Sequence, residues 1–296
     1  MDYLPLFLES RVALGLSSNT IHWYKLHLGH FKGWLEQEHI GLLTLTPLQF
    51  QSFIVTQRNR YSPATTSQAY GAVHAFYRWL VEMDVLPNDP TRKQKRPKIP
   101  DILPSVVARD YLVHLLDSIR LHCWVDYRDR CILELLFCTG VRVGEVRRLL
   151  LSDVNMEQRS LLIHGKGPKD RVVFYPEDFR LRLWQWVYVH RPATTYNELF
   201  LSSKNNLSVR GPLATTTVYN LLLNRVAAAA VEWKSPHAYR HGFAVDMLRN
   251  GASTRLIQQL LGHSEIRTTE RYLRLVPEMT QGMFDAIWDA HPLGSP

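Results

Sequence analysis

Cysteine is scarce in this sequence, and long apolar runs are absent from it. The 296 residues include three cysteines, Cys123, Cys131 and Cys138, with no CxxC pair among them, so we expect neither a structural zinc site nor a disulfide framework. Their apolar neighbours indicate core thiols in a reducing compartment. No apolar segment approaches the roughly 20 residues of a membrane-spanning helix, and the N-terminus lacks the basic start of a signal peptide. We therefore expect a soluble, cytoplasmic protein without a membrane partner.

Acidic residues are outnumbered by basic ones. The chain has 35 Lys plus Arg against 27 Asp plus Glu, which gives a formal net charge of +8 and a pI of about 9.4. An excess of this kind favours a polyanionic partner such as nucleic acid. The length allows two cores of ordinary size, and no internal repeat or low-complexity tract interrupts the chain.

Composition divides the chain into three segments. Residues 1–87 show helical spacing of apolar side chains throughout, with candidate N-caps at Ser18 or Asn19, Thr46 and Ser62. Residues 88–104 contain repeated prolines, which disfavour helix and predict an extended linker. Five cations in this linker suit contact with a phosphate backbone, although a solvated linker would carry them equally well; they are Arg92, Lys93, Lys95, Arg96 and Lys98.

Residues 105–296 mix helical patterns with one hairpin pattern. Two alternating segments, Ser160 to His164 and Arg171 to Tyr175, flank a Gly/Pro-rich turn and predict a β-hairpin with Lys166 at its tip. We therefore predict a mainly α fold with a small antiparallel β-sheet in this C-terminal domain.

Two helices near the C-terminus have clear start and stop signals. Ser235 is a candidate N-cap followed by Pro236 at the first helical position, and Gly251 marks the end of that helix. A second helix begins at Ser253 and stops at Gly262. The first helix presents His237 and Arg240 together, and His263 follows the second.

Several polar side chains in this domain suit attack on a phosphodiester. Arg142 and Arg240 can bind the non-bridging oxygens with paired, charge-assisted hydrogen bonds. Tyr272 can attack the phosphorus and form a covalent phosphotyrosine, which retains the energy of the broken bond and needs no ATP. Lys166 can act as the general acid that protonates the departing 5′ oxygen.

Three further side chains support this chemistry. His237 can accept the tyrosine proton or bind the phosphate, His263 can donate another hydrogen bond to the phosphate, and Glu145 can orient Arg142. His237 and His241 also have the helical spacing of metal ligands, but no acidic third ligand follows at a recognisable spacing. We therefore expect no metal and no other cofactor.

Taken together, these motifs resemble the signature of the tyrosine recombinases, the phage integrase family, and are most similar to its Xer-type members. The motifs are Thr139-Gly-Val-Arg-Val-Gly-Glu145, Gly165-Lys-Gly167, Ser235-Pro-His-Ala-Tyr-Arg-His241 and Leu261-Gly-His-Ser264 through Tyr272. The resemblance implies a helical, SAM-like core-binding domain at 1–87, an α+β catalytic domain at 105–296, and a helix at about 277–291 that is exchanged between protomers. It places Arg142, Lys166, His237, Arg240, His263 and Tyr272 at catalytic positions.

The resemblance also implies a reaction and its partners. Four protomers would bring two sites on double-stranded DNA together and exchange strands through 3′-phosphotyrosyl linkages and a Holliday junction, either as a homo-tetramer or with a paralogous recombinase. Two other functions stay open at this point. A type IB topoisomerase uses a similar tyrosine and cationic pocket but relaxes a single duplex, and a non-catalytic architectural protein would use the same cations only to hold DNA.

Overall fold

The computed structural model describes residues 3–101, 103–165, 170–206, 208–262, 272 and 275. It separates into two compact units, Met1–Ile102 and Leu103–Pro296. Lys166, His263 and the helix expected at about 277–291 lie outside the described residues. None of the helices in the described ranges is long and apolar enough to cross a membrane.

The first unit is built from four helices within its described residues. They are α1 (Tyr3–Ala13), α2 (Ser18–Gln37), α3 (Pro47–Arg60) and α4 (Pro63–Glu82). Thr46 and Ser62 cap α3 and α4 as predicted, whereas α2 is capped by Ser17, one residue before the predicted position. These caps accept backbone N–H groups that the first helical turn leaves unpaired.

One face of α4 supplies much of the core of the first unit. Tyr70, Val73, Tyr77 and Leu80, which lie on one stripe at helical spacing, are all buried. The buried hydroxyl of Tyr77 donates to the Leu42 carbonyl at 2.7 Å. The polar end of this ring is therefore satisfied inside an aromatic core.

The proline-rich segment differs in part from the extended linker that its composition predicts. Residues 89–94 form successive turns against α4, and the side chain of Thr91 is fully buried. The Asp89 carboxylate accepts from the Thr91 N–H at 2.7 Å, and the Tyr70 hydroxyl donates to the Gln94 carbonyl at 2.8 Å. An Asp side chain that closes a turn on its own backbone offers these residues an alternative to an extended strand. They accordingly belong to the first compact unit.

Within its described residues, the second unit combines helices with two small antiparallel sheets. Its helices are α5 (Arg109–Asp117), α6 (Trp124–Thr139), α7 (Val143–Val146), α8 (Glu177–Gln185), α9 (Thr215–Ala228), α10 (Pro236–Arg249) and α11 (Thr254–Leu261). Its strands are β1 (Val154–Asn155), β2 (Ser160–Ile163), β3 (Arg171–Phe174), β4 (Leu201–Lys204) and β5 (Ser208–Pro212). The sheets have the orders β1-β2-β3 and β4-β5. This arrangement confirms the predicted fold class.

The local signals in the second unit agree closely with the structure. The β2–β3 hairpin forms with Ile163 opposite Arg171, and Ser235 and Ser253 occupy the N-cap positions of α10 and α11. The Ser253 hydroxyl accepts the Leu256 N–H at 3.2 Å, whereas the Ser235 side chain makes no capping bond. Arg142 is the N-cap residue of the short helix α7, and its backbone there is extended.

Candidate active site

A cavity of about 770 Å³ lies in the second unit, where helices α7 and α10 meet strand β3. Most of its charged lining comes from three separate parts of the chain: the N-terminal end of α7, the start of β3, and the first turn of α10. These residues are Arg142, Glu145, Arg171, His237 and Arg240. The cavity therefore brings together two distant sequence motifs that were predicted to act together.

Arg142 is held by the carboxylate of Glu145. Glu145 accepts the Arg142 backbone N–H at 2.7 Å and its NH1 group at 3.1 Å. A carboxylate at the third position of a helix that reaches back to the N-cap N–H is half of a capping box, so the local helix start sets this contact. Glu145 is buried, whereas the Arg142 side chain is 43% exposed. The guanidinium is thus anchored at one edge and open to the cavity.

Arg240 is held by two backbone carbonyls. Its NH1 and NH2 groups donate to the carbonyls of Gly140 and Leu261, each at 2.6 Å. Gly140 ends α6 in the left-handed region at φ +63°, and a Cβ there would lie 2.6 Å from side-chain atoms of both Phe243 and Leu261. Only glycine accepts this backbone and this close packing without strain. The glycine that ends α6 therefore also provides one of the two carbonyls that hold Arg240.

The charges around the cavity shift the pKa values of three groups. Burial raises the pKa of Glu145, but the hydrogen bonds from Arg171 and Arg142 and their charges overcome this effect and lower it to about 2. Burial, followed by the nearby charge of Arg142, lowers the pKa of Arg240 to about 9. The pKa of His237 is lowered by burial and then by Arg240 and Arg142. At neutral pH the site holds ionised arginines, a carboxylate and a neutral imidazole.

Tyr272 is 1% exposed and contacts α10. Its hydroxyl lies 2.9 Å from Nδ1 of His241, one residue after Arg240, and the two ring centroids are 5.5 Å apart. Burial has the largest effect on the pKa of Arg240 and lowers it, and the nearby Tyr272 acts in the opposite direction. Helix α10 therefore carries a phosphate-binding candidate, a neutral histidine and the direct partner of the predicted nucleophile.

The remaining predicted site residues fall in different places. Lys166 and His263 are outside the described residues, but Gly165 and Gly262, which immediately precede them, both line the cavity. The five linker cations belong to the first unit. Arg92, Lys93, Lys95 and Lys98 are exposed there, and Arg96 donates from Nε to the Ser67 hydroxyl at 2.8 Å.

Two residues near the site have roles that sequence reasoning missed. The sequence pattern indicates Arg171 only as part of a hairpin strand, and nothing in its spacing points to Glu145, which is 26 residues away in the chain. For His241 the pattern indicates only a metal-ligand candidate together with His237. Among the described residues, no group of three or more His, Cys, Asp or Glu side chains could hold a metal ion. The helical spacing of the two histidines was the available signal, and it placed both on one helix face.

Comparison with known proteins follows the same division of the chain. The family described as "Phage integrase family" matches residues 108–279, and the "Phage integrase, N-terminal SAM-like domain" matches residues 7–83. The tyrosine recombinase XerC of Myxococcus xanthus is 32% identical over 287 residues, which cover 94% of this chain and 93% of the relative.

Two solved structures share the fold. The XerA recombinase is 27% identical with a TM-score of 0.53, and the match covers 99% of each chain. The XerH site-specific recombinase, bound to a palindromic difH substrate in a post-cleavage complex, is 21% identical with a TM-score of 0.72. That match covers 91% of this chain and 80% of the XerH chain.

Proposed function

This chain belongs to the phage integrase family, whose tyrosine recombinases cleave and rejoin DNA, and from that membership we propose how it carries out site-specific recombination. In our proposal Tyr272 is the nucleophile, Lys166 the general acid, and Arg142, His237, Arg240 and His263 surround the scissile phosphate. The observation that carries the proposal is the cavity in which two anchored arginines and a neutral histidine converge.

The scissile phosphate would occupy this cavity beside Arg142 and Arg240. Burial, and after it repulsion from the charge of Arg142, lowers the pKa of Arg240. A bound phosphate would relieve that repulsion, and its developing negative charge would meet donors that are already in place. Anchoring by Glu145 and by backbone carbonyls means that little reorganisation is needed when the reaction begins.

The cleavage step would form a Tyr272 Oη–phosphorus bond and break the bond from phosphorus to the 5′ oxygen. The tyrosine proton would pass to a neutral imidazole, and His237 suits this task because its lowered pKa leaves it unprotonated at neutral pH. Lys166 would protonate the departing oxygen. Attack by the 5′ hydroxyl of a second strand would reverse these transfers and release the tyrosine.

Tyr272 has to leave its buried position before it can attack. In the described conformation its ring is 1% exposed and its hydroxyl lies 2.9 Å from Nδ1 of His241, so the oxygen that would attack phosphorus is buried against a protein partner. We propose that DNA binding shifts this tyrosine toward the cavity. Such a step would couple cleavage to assembly on DNA.

Assembly and DNA contacts complete the proposal. Residues 1–87 would act as a core-binding domain and residues 105–296 as the catalytic domain, with the cations of residues 88–104 on the DNA backbone. Four protomers, identical or shared with a paralogue, would exchange strands through a Holliday junction, and the segment at about 277–291 would link neighbouring protomers. The XerH recombinase of the post-cleavage complex is bound to a palindromic difH substrate, which supports a DNA site as the partner.

A suicide substrate tests the nucleophile directly. DNA fragments bound by the protein in cells would be recovered, and the enriched site would be prepared with a nick that lets the cleaved end diffuse away. We expect wild type to form a 3′-linked covalent adduct and Tyr272→Phe to bind the same DNA without forming one. Adduct formation by Tyr272→Phe would contradict the assignment.

Tyr175→Phe is the matched control. Tyr175 is also buried, and its hydroxyl donates to the Asn155 carbonyl at 3.0 Å, so this variant loses a comparable contact but should keep the adduct. Plasmids with two marked sites then separate the remaining functions. Recombinant joints support a recombinase, relaxed plasmid alone indicates a type IB topoisomerase, and tight binding without an adduct indicates an architectural protein.

A further inference from the structure

Arg171 connects three elements of the active-site unit through its guanidinium. It is the first residue of β3, opposite Ile163 of β2, and its side chain is 12% exposed. NH1 and NH2 donate to the two carboxylate oxygens of Glu145 at 2.9 and 2.8 Å, and Nε donates to the Leu260 carbonyl at 2.8 Å. Every nitrogen of this guanidinium is therefore bound to a protein acceptor.

This pattern distinguishes Arg171 from the other arginine on Glu145. Arg142 gives one guanidinium nitrogen to Glu145 and is 43% exposed, which suits contact with a substrate. Arg171 instead completes the coordination of the carboxylate. Glu145 accepts two hydrogen bonds from Arg171 and two from Arg142, and a carboxylate has about four acceptor sites.

Arg171 also binds the end of α11. The last carbonyls of a helix lack intrahelical partners, and here two arginines are the donors. Arg171 donates to the Leu260 carbonyl, and Arg240 donates to the Leu261 carbonyl. Gly262, which follows them in the left-handed region, packs so closely that a Cβ there would lie 3.1 Å from Cδ of Arg171. Arg171, which orients Glu145, thus also packs against Leu260 and Gly262, immediately before His263.

We propose that Arg171 is a positioning residue for DNA cleavage, because its fork holds Glu145 and the C-terminal end of α11 in one arrangement and so fixes the guanidinium of Arg142. The inference rests on the proposed function above. This positioning role is chemically distinct from phosphate binding, since Arg171 acts through Glu145 and Leu260 and does not itself contact the reacting atoms.

Charge balance in the cavity supports this role. Among the described residues, the charged groups that face Glu145 are Arg142 at its own helix start, Arg171 of β3 and Arg240 of α10. Without Arg171, burial of Glu145 would be opposed by Arg142 and Arg240 alone, and the pKa of Glu145 would rise from about 2 toward or above its ordinary value of 4.5. A protonated Glu145 would accept fewer hydrogen bonds from Arg142.

The test is the pH profile of adduct formation on the nicked substrate, measured in single turnovers with enzyme in excess. For Arg171→Gln we expect a rate roughly 10- to 100-fold below wild type at neutral pH, the range seen when a group that orients a site ligand is removed. The ratio of the Arg171→Gln rate to the wild-type rate should fall further at mildly acidic pH, because protonation of His237 slows both proteins whereas protonation of Glu145 slows only the variant. Arg171→Lys should be slow at neutral pH but keep a constant ratio to wild type, because an ammonium preserves the charge and loses the fork.

Arg225→Gln is the matched control. Arg225 also bridges two carboxylates, those of Asp126 and Asp129, and lies away from the cavity lining, so the variant should lose stability while keeping the wild-type pH profile. Wild-type rates in both Arg171 variants would overturn the inference, as would a slow Arg171→Gln whose rate keeps a constant ratio to the wild-type rate as the pH falls. If Arg171→Gln does not fold, a wild-type rate in Arg171→Lys still overturns it. Failure of wild type to form any adduct would instead refute the proposed function.

Discussion

Replacing Gly140 with alanine should destabilise the second unit more than its size suggests. Gly140 lies at φ +63°, and a left-handed backbone costs a residue with a Cβ about 1–2 kcal/mol. The new methyl group would also lie 2.6 Å from atoms of Phe243 and of Leu261. Overpacking of a filled core costs about 1–3 kcal/mol. Reduced conformational freedom of the unfolded chain offsets about 0.4–1 kcal/mol of this, which leaves a net loss of stability of about 1–4.5 kcal/mol.

The same substitution should slow DNA cleavage. Relief of the overlap requires α6, α10 and α11 to separate at the point where Arg240 binds the carbonyls of Gly140 and Leu261. Chemical unfolding followed by tryptophan fluorescence gives the stability change, and the suicide-substrate assay gives the rate. Both the free energy of unfolding and the cleavage rate should be lower in Gly140→Ala than in wild type.

Gly144→Ala is the control for this prediction. Gly144 lies four residues further on inside α7, and no atom lies within 4 Å of the position that its Cβ would take. Alanine is a better helix former there, so we expect no loss of stability or a gain of up to about 1 kcal/mol. A loss below about 1 kcal/mol for Gly140→Ala, or equal effects of the two variants, would refute the reasoning.

Three further predictions concern pH and helix capping. The pKa of Glu145 is lowered to about 2 in the folded protein. The stability that its ionised carboxylate contributes is therefore fully present above pH 4.5, its ordinary pKa, and is lost as the pH falls toward 2. At about 1.4 kcal/mol per pKa unit this is about 3 kcal/mol, and acid unfolding of Glu145→Gln should lack that component. Asp170 and Asp153 raise the pKa of His164, so this contact stabilises the hairpin at low pH and is lost as pH rises through the raised value. The melting temperatures of wild type and His164→Gln should therefore converge at alkaline pH, and a constant difference would argue against the contact. Thr46→Ala removes the α3 cap and should cost about 1 kcal/mol in urea unfolding, whereas Thr46→Ser should cost little.

Local signals predicted most of the secondary structure near the site. Ser235 and Pro236 mark the start of α10, and Gly262 marks the end of α11, because caps, prolines and positive-φ glycines act within a few residues of chain. The hairpin around residues 160–175 follows from alternation and a turn, which are equally local. The predicted N-cap of α2 lies one residue after the observed one, because Ser17 and Ser18 have the same capping chemistry.

The folded form of residues 89–94 was not accessible in the same way. Their prolines and charges are compatible with an extended linker, and it is the fit of Thr91 beneath α4 that selects turns. Burial of that kind depends on a helix about 20 residues away, and composition carries no record of it. The five cations of this segment remain a prediction as DNA contacts.

The sequence by itself determined which groups are available for chemistry and which short elements carry them. Residue type and spacing specify the arginines, His237 and Tyr272, and hydrophobic period and caps specify their helices, because these properties depend on neighbours in the chain. Tertiary structure alone decided three contacts: Arg171 donates to the Glu145 carboxylate, Arg240 donates to the Gly140 carbonyl, and the Tyr272 hydroxyl bonds to His241. Those contacts join residues from 26 to 100 positions apart, so they depend on how helices and strands pack, and packing is a property of the whole core.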